Sequence, residues 1–298
     1  MYSKVIFDPK NIRRISGGCK LTYEQVGKVL GIDREHFDEK DNWYLIEGMM
    51  QYFKQRGDSR ILGELLSDEV LRMHGLVPAS YSLVNMDGNV GLISPNVQKE
   101  GFRYESLATF HTLIPEFGYL YRSYGEITLN EVLKFIGENV PNGLELQTEL
   151  VRKYVVDWFT NQMDSNVRNI VFEQGKDGDI HLSEFIDNES AFGVTKKGID
   201  TNLDKIWIPA IPYDDNTFRT GPYKDGGLDV NIFALMIDYP ETVVPLLKEF
   251  TDTNYDRAIA KYKKNSGSGI YLPDTGIDYL KAYFESRQTE ADKMSKYN

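Results

Sequence analysis

The sequence predicts an α+β protein of two lobes, the first an antiparallel sheet with one helix and the second mainly helical. Short apolar runs separated by turn residues fill the chain up to about residue 100, and one run of helical spacing interrupts them. Longer apolar runs with helical spacing follow. A chain of 298 residues is long enough for two lobes with a substantial core. We therefore expect the lobes to cover residues 1–102 and 103–298.

Turn residues and apolar periodicity predict the elements of the first lobe. They are a hairpin over residues 42–54 that turns at Glu47-Gly48, a helix over 60–73 that ends at His74-Gly75, and a hairpin with strands over 79–84 and 90–94. This arrangement puts Lys54 at the end of a strand and Glu64 in the first turns of the next helix.

Helical patterns dominate the second lobe. Thr128 and Glu131 have the spacing of a capping box, which predicts that a helix begins there. The other predicted elements are a helix over residues 144–163, a hairpin with strands over 170–173 and 180–186, a surface loop over 209–227, and helices over 228–238, 242–265 and 275–293.

Composition excludes several classes of function. The 34 basic and 45 acidic residues give a net charge of −11, which disfavours binding to nucleic acid or to an anionic membrane surface. Cys19 is the single cysteine, so the chain forms no internal disulfide and no cysteine zinc cluster. No stretch has the roughly 18 apolar residues of a membrane helix. We expect a cytoplasmic protein without membrane contact.

Three side chains of the second lobe have the types and spacing of a phosphoryl-transfer site. Asp164 and Asn169 have the spacing D-x-x-x-x-N. With this spacing, one loop can direct a carboxylate at a hydroxyl group and an amide oxygen at Mg²⁺. The predicted hairpin then returns the chain so that Asp187 approaches Asn169. Asp and Asn are also common turn residues beside hairpins, so the spacing alone leaves both interpretations open.

The first lobe offers a cation for nucleotide phosphates. Lys54 on a strand and Glu64 on the following helix have the order of a phosphate-binding lysine and the glutamate that orients it. An exposed lysine at a strand end and a glutamate near a helix N-terminus are also common separately. Gly17 and Gly18 could offer backbone N–H groups to a phosphate, but a plain turn is the simpler interpretation of this segment.

In combination these stretches resemble the HipA-like serine/threonine kinases, in particular compact bacterial members without a large extra N-terminal domain. The resemblance covers much of residues 15–195. The stretches that carry it are Met50-Gln-Tyr-Phe-Lys54, Gly63-Glu-Leu-Leu-Ser-Asp-Glu-Val70 continuing to His74-Gly-Leu76, Gly91-Leu-Ile-Ser94, Asp157-Trp-Phe-Thr-Asn-Gln-Met-Asp-Ser-Asn-Val-Arg-Asn169 and Leu182-Ser-Glu-Phe-Ile-Asp187.

The resemblance implies a two-lobed kinase fold with ATP and Mg²⁺ as cofactors. By this resemblance Lys54 is the nucleotide-phosphate lysine and Glu64 its partner, Asp164 is the catalytic aspartate, and Asn169 and Asp187 are the magnesium ligands.

One residue of the predicted catalytic loop departs from the family. The family usually has D-x-H-x-x-N, whereas this chain has Asn166 at the histidine position. An amide cannot become a cation and forms different hydrogen bonds from an imidazole. The predicted site is therefore better supported for nucleotide and metal binding than for turnover.

The function implied is ATP- and Mg²⁺-dependent phosphoryl transfer to a Ser/Thr hydroxyl of a protein. Two alternatives stay open: a pseudokinase that acts as a nucleotide-binding or protein-interaction module, and a kinase of small molecules. The resemblance also raises two further expectations, an antitoxin or other regulatory partner and delivery into another cell. No segment has the pattern of a partner-binding motif or a secretion signal.

Overall fold

The structure is a computed structural model that describes residues 2–30, 42–96, 101–118, 128–162, 167–201, 217–219 and 229–297. Its α-helices are α1 (Tyr23–Leu30), α2 (Arg60–Met73), α3 (Leu129–Asn139), α4 (Gly143–Thr160), α5 (Ile232–Asp238), α6 (Pro240–Asp252), α7 (Asp256–Ala260) and α8 (Asp274–Ser295).

The strands before α2 are β1 (Tyr2–Ser3), β2 (Ile6–Phe7), β3 (Arg13–Ile15), β4 (Cys19–Lys20), β5 (Trp43–Ile46) and β6 (Met49–Gln55). Those between α2 and α5 are β7 (Ser82–Met86), β8 (Asn89–Pro95), β9 (Arg103–Ser106), β10 (Val171–Gln174), β11 (Ile180–Leu182), β12 (Val194–Thr195), β13 (Gly198–Asp200), β14 (Thr217–Arg219) and β15 (Asp229–Asn231). The last strand is β16 (Ile270–Tyr271).

A six-stranded sheet in the order β3-β7-β8-β6-β5-β4 forms the first lobe. Its pairs are antiparallel except β3 with β7, which run parallel. Strands β3 and β4 lie at opposite edges, yet only residues 16–18 connect them. A flat sheet of this size is about 24 Å wide, whereas so short a connection spans at most about 14 Å. The sheet must therefore curl until its two edges approach each other.

The predicted elements of this lobe are present, with two differences. The hairpin turns at Glu47 and Gly48, and α2 has the predicted bounds. In the second hairpin, β7 begins three residues and ends two residues later than expected, because the left-handed turn lies at Asp87-Gly88. The lobe also contains α1, which follows β4 and was not predicted.

Helices of the second lobe surround the main hydrophobic core. Thr128 caps α3 through the predicted capping box with Glu131. The core includes Leu150 and Tyr154 of α4 together with Leu62 and Leu66 of α2, so α2 is shared between the lobes. Within the described residues, no helix is long and apolar enough to cross a bilayer.

One predicted helix of the second lobe is divided. The expected helix over residues 242–265 is wrong as a single element, because α6 ends at Asp252 and α7 begins at Asp256. Asn254 Oδ1 accepts a hydrogen bond from the backbone N–H of Asp256 at 2.8 Å, so a side chain of the connection starts the second helix.

The predicted hairpin that follows the D-x-x-x-x-N motif is present as β10 and β11, with β9 on the other side of β10. Strands β1 and β2 pair with β13 and β16, so the beginning of the chain contacts elements of the C-terminal part. The division at residue 102 stays a prediction. Most of the expected loop over residues 209–227 lies outside the described residues, but β14 within it pairs with β15.

Gly63 brings α2 into direct contact with the segment that follows β11. A Cβ atom at this position would lie 2.5 Å from the carbonyl oxygen of Glu189, closer than real Cβ contacts allow. The helix therefore contains glycine where alanine has the higher helix propensity.

We predict that Gly63→Ala lowers the free energy of unfolding by about 1–3 kcal/mol, because relief of the clash requires α2 to move away from residue 189. Urea denaturation followed by circular dichroism measures this change. The control is Gly57→Ala, where nothing lies within 4 Å of the added Cβ. Equal stability of Gly63→Ala and the wild type would contradict the close packing.

Asp68 connects α2 to the chain before β7. Its Oδ2 accepts a hydrogen bond from the backbone N–H of Tyr81 at 2.7 Å, while Oδ1 has no partner within the described part of the chain. Burial raises the pKa of Asp68 from 3.8 to about 7, although the Tyr81 hydrogen bond opposes this shift.

We predict that Asp68→Asn stabilises the protein at pH 8 by about 2–4 kcal/mol and has little effect near pH 4. Between about pH 4 and 7 the folded Asp68 holds a proton that the unfolded one has lost, so its contribution to stability falls as the pH rises. Denaturation at both pH values measures the difference, with exposed Asp87→Asn as the control. An equal effect at both pH values would contradict the raised pKa.

Candidate active site

Lys54 is the centre of the candidate site. The strand β6 carries it beside Leu92 of β8, and its side chain is buried. Its Nζ lies 2.5 Å from Glu64 Oε1 and 2.9 Å from Glu189 Oε2, and it also contacts Asp187 Oδ1. One ammonium group therefore meets three carboxylates, of which Glu64 was predicted as its partner and Asp187 as a magnesium ligand.

The surroundings keep Lys54 charged. Burial alone would lower its pKa, but the carboxylates of Glu64 and Asp187 outweigh this effect and hold it well above 10.5. For Glu189, burial acts to raise the pKa, yet Lys54 and Arg56 bring it below the ordinary 4.5. The candidate site therefore holds a charged lysine beside a charged glutamate.

Glu64 connects Lys54 to the segment that carries Asp187. It lies in the second turn of α2 and has no exposed surface. Its Oε1 meets Lys54, and its Oε2 accepts a hydrogen bond from the backbone N–H of Asn188 at 2.7 Å. Glu64 thus fixes the relative positions of β6 and the chain after β11.

Asp187 and Asn169 lie together, as the hairpin between them predicted. Asn169 Nδ2 donates to Asp187 Oδ2 at 3.2 Å. Asp187 has a φ of 58°, a left-handed conformation that Asp adopts more readily than most residues. Gln162 Nε2 donates to the Asp187 carbonyl oxygen at 2.8 Å and holds this backbone in place.

Asp164 and Asn166 lie outside the described residues. The positions that flank them are described. Gln162 contacts Asp187 on one side, and Val167 on the other accepts a backbone hydrogen bond from Ala108. The catalytic role expected for Asp164 stays a prediction.

Gly17 and Gly18 are not brought to Lys54. A Cβ on Gly18 would contact Ile46, Tyr44 and Met86 at 3.4–3.6 Å, which places Gly18 beside the β5–β6 turn. Lys54 is five residues beyond Met49, the partner of Ile46, or about 16 Å along the strand. Their phosphate-binding role stays a prediction, and this register disfavours it. Asn42 and Trp43, at the other end of β5, line the cleft instead.

Lys54, Asn169 and Asp187 line a cleft of about 710 Å³ between the curled sheet and the β10–β11 hairpin. This volume suits a cofactor-sized ligand. Ala79, Val171 and Ile186 give the cleft apolar surface. A flat base fits against such surface, phosphates fit at a lysine, and carboxylate and amide oxygens are the ligands that Mg²⁺ prefers. The residues present therefore fit ATP with Mg²⁺.

Solved structures similar to this one decide the fold. Helicobacter pylori proinflammatory kinase CtkA has a TM-score of 0.64 at 12% identity, over 95% of this chain and 96% of CtkA. Shewanella oneidensis HipA, solved with HipB and operator DNA, has a TM-score of 0.51 at 10% identity, over 93% of this chain and 72% of HipA. The fold is that of the HipA-like kinases.

These similarities confirm the predicted α+β class and the resemblance at the level of the fold. No protein-family model matches the chain, and no curated protein matches it in sequence. At 10–12% identity, a shared HipA-like kinase fold does not assign roles to individual residues of this chain. The roles of Lys54, Glu64, Asn169 and Asp187 therefore rest on the geometry of this chain.

Glu189, Arg56 and Arg60 form ion pairs beside Lys54 and were not among the predicted site residues. Glu189 Oε2 lies 3.0 Å from Arg56 Nε, and its Oε1 lies 2.9 Å from Arg60 Nη1. No strand alternation predicts this meeting, because Asp187, two positions before Glu189, has a left-handed backbone conformation.

We predict that Lys54→Met lowers the free energy of unfolding by about 3–5 kcal/mol, because it leaves buried carboxylates without their shared cation. Urea denaturation without divalent cations measures the loss. Exposed Lys248→Met on α6 is the control, since it removes the same charge from solvent. A loss below about 1 kcal/mol would contradict a central role for this ammonium group.

Proposed function

We propose that the chain is an ATP- and Mg²⁺-dependent kinase that transfers phosphoryl groups to Ser or Thr hydroxyls of a protein. One observation carries the proposal. A buried lysine, its helix glutamate, and an asparagine–aspartate pair from the two ends of a hairpin converge on one cleft. Phosphoryl transfer needs this set, because its catalysis consists of positioning and charge stabilisation.

Each residue has one task in this proposal. Lys54 binds the nucleotide phosphates, and Glu64 holds Lys54 in orientation. Asn169 and Asp187 offer oxygen ligands for Mg²⁺, which when bound neutralises charge on the phosphates. Asp164 orients the acceptor hydroxyl and accepts its proton.

The pseudokinase is the second candidate, and Asn166 is the observation that favours it. A chain with asparagine at the family's histidine position keeps Lys54, Asn169 and Asp187 for nucleotide binding. Binding without transfer would then be its activity. Transfer to a small molecule is a variant of the kinase proposal. The identity of the acceptor that becomes labelled distinguishes it from transfer to a protein.

Partners and location follow the same proposal. The Shewanella HipA structure contains HipB, so a protein partner comparable to an antitoxin is part of what we propose for this chain. A net charge of −11 makes direct contact with DNA unfavourable without such a partner. With one cysteine and no span-length helix among the described residues, we propose action in the cytoplasm.

Radiolabelled ATP with Mg²⁺ tests the proposal through autophosphorylation and transfer to a Ser/Thr peptide library. We predict that Asp164→Asn lowers transfer about 10²–10⁴-fold, because an amide cannot accept the proton. ATP·Mg²⁺ should still raise the melting temperature of this variant. Asp87→Asn, an exposed turn position where asparagine is tolerated, should transfer phosphate at the wild-type rate.

The outcomes separate the candidates. Full transfer by Asp164→Asn would contradict the role of Asp164. A melting shift with ATP·Mg²⁺ but no transfer by the wild type would favour the pseudokinase. If ATP·Mg²⁺ causes no melting shift and the wild type transfers no phosphate, nucleotide binding at this cleft is contradicted.

A further inference from the structure

Glu189 binds three cations with its two carboxylate oxygens. Oε2 lies 2.9 Å from Lys54 Nζ and 3.0 Å from Arg56 Nε, and Oε1 lies 2.9 Å from Arg60 Nη1. The side chain is only 10% exposed. Arg60 in turn binds Asp58 at 2.8 Å. Glu189 therefore joins β6 to the start of α2.

This arrangement does not make Glu189 a metal ligand. The carboxylate oxygens of Glu64, Asp187 and Glu189 lie within 4.8 Å of one another, as a metal site would require. Lys54 contacts all three, however, and supplies the positive charge at their centre. Arg56 and Arg60 also bind the oxygens of Glu189. Glu189 is thus a partner for cations of the protein itself.

Asp187 is a less permanent partner for Lys54 than Glu189. Its side chain is 34% exposed and faces the cleft, where the proposed function gives it a metal ion. A carboxylate that binds a metal ion has less charge to offer an ammonium group. Glu64 and Glu189 are buried, and each contacts Lys54 through its own oxygen, separately from Asp187.

We propose that Glu189 is a positioning residue that, braced by Arg56 and Arg60, holds Lys54 in the orientation that phosphoryl transfer requires. This inference rests on the proposed function for its effect on catalysis. Its structural part, the hold of Glu189 on Lys54, can be measured without any activity.

Glu189→Gln tests the inference because it keeps the shape of the side chain and removes the charge. With ATP·Mg²⁺ as substrate we expect a 10–100-fold lower kcat, which corresponds to about 1.4–2.7 kcal/mol, and a smaller change in KM. In the protein without nucleotide, the ¹⁵Nζ signal of Lys54, identified by its loss in Lys54→Met, should show faster proton exchange with water. Exposed Glu241→Gln on α6 is the matched control.

Arg60→Gln provides a second variant that leaves Glu189 in place. It should lower kcat less than Glu189→Gln, and the double variant should be no worse than Glu189→Gln alone, because both act through one carboxylate. If Glu189→Gln fails to fold, Arg60→Gln alone decides the question: a lower kcat and faster exchange of the Lys54 signal support the positioning role, and wild-type values of both overturn it.

The two proposals fail in different ways. Wild-type kcat and an unchanged Lys54 signal in Glu189→Gln would overturn the positioning role, as would fully additive losses in the double variant. If the wild type transfers no phosphate, the proposed function fails, and the Lys54 signal then decides the inference alone.

Discussion

The ion pairs of the buried Lys54 ammonium group are the interaction on which the rest of the candidate site depends. A lysine removed from water is stable as a cation only when anions surround it. Here Glu64 comes from α2, whereas Asp187 and Glu189 come from the chain after β11. The requirement to neutralise one charge therefore brings β6 and α2 together with the chain after β11. Lys54 is more than 100 residues from both Asp187 and Glu189.

Backbone contacts keep these parts at the correct distance. Glu64 accepts the N–H of Asn188, and the absence of a side chain at Gly63 lets the carbonyl of Glu189 approach α2. Gln162 holds the Asp187 carbonyl from the side of the predicted catalytic loop. The apolar face of α2 belongs to the same core as α4. Charge pairing and core packing thus fix α2 against both lobes. The cleft lies between the curled sheet of the first lobe and the β10–β11 hairpin.

Features with a local cause could be predicted from the sequence. The β5–β6 turn, the bounds of α2 and the capping box at Thr128 follow from residues near one another in the chain, and the structure contains all three. The parallel pairing of β3 with β7 could not be predicted, because no local pattern records which edge of a sheet a short strand joins. The same limit applies to Gly17 and Gly18: their glycine content predicts a turn, while the strand register decides what that turn approaches. The pairs of Glu189 with Arg56 and Arg60 span about 130 residues and leave no periodic pattern at all.

The present pairing of Asn169 with Asp187 also limits how the site can rearrange. Asn169 now donates Nδ2 to Asp187 Oδ2, whereas the role of a cation ligand requires its amide oxygen. A half-turn of the amide group achieves this exchange, since the terminal torsion of Asn is broad and roughly two-fold. This exchange is a side-chain rotation, while Gln162 and Glu64 hold the main chain of residues 187 and 188 and Gln162 also donates to the Asn188 side chain. The Asp187 carboxylate can then leave Lys54 without exposing an unpaired charge, because Glu64 and Glu189 remain at the ammonium group. The main chain of residues 187 and 188 is thus held in place, and the change that the proposed magnesium site requires is confined to side chains.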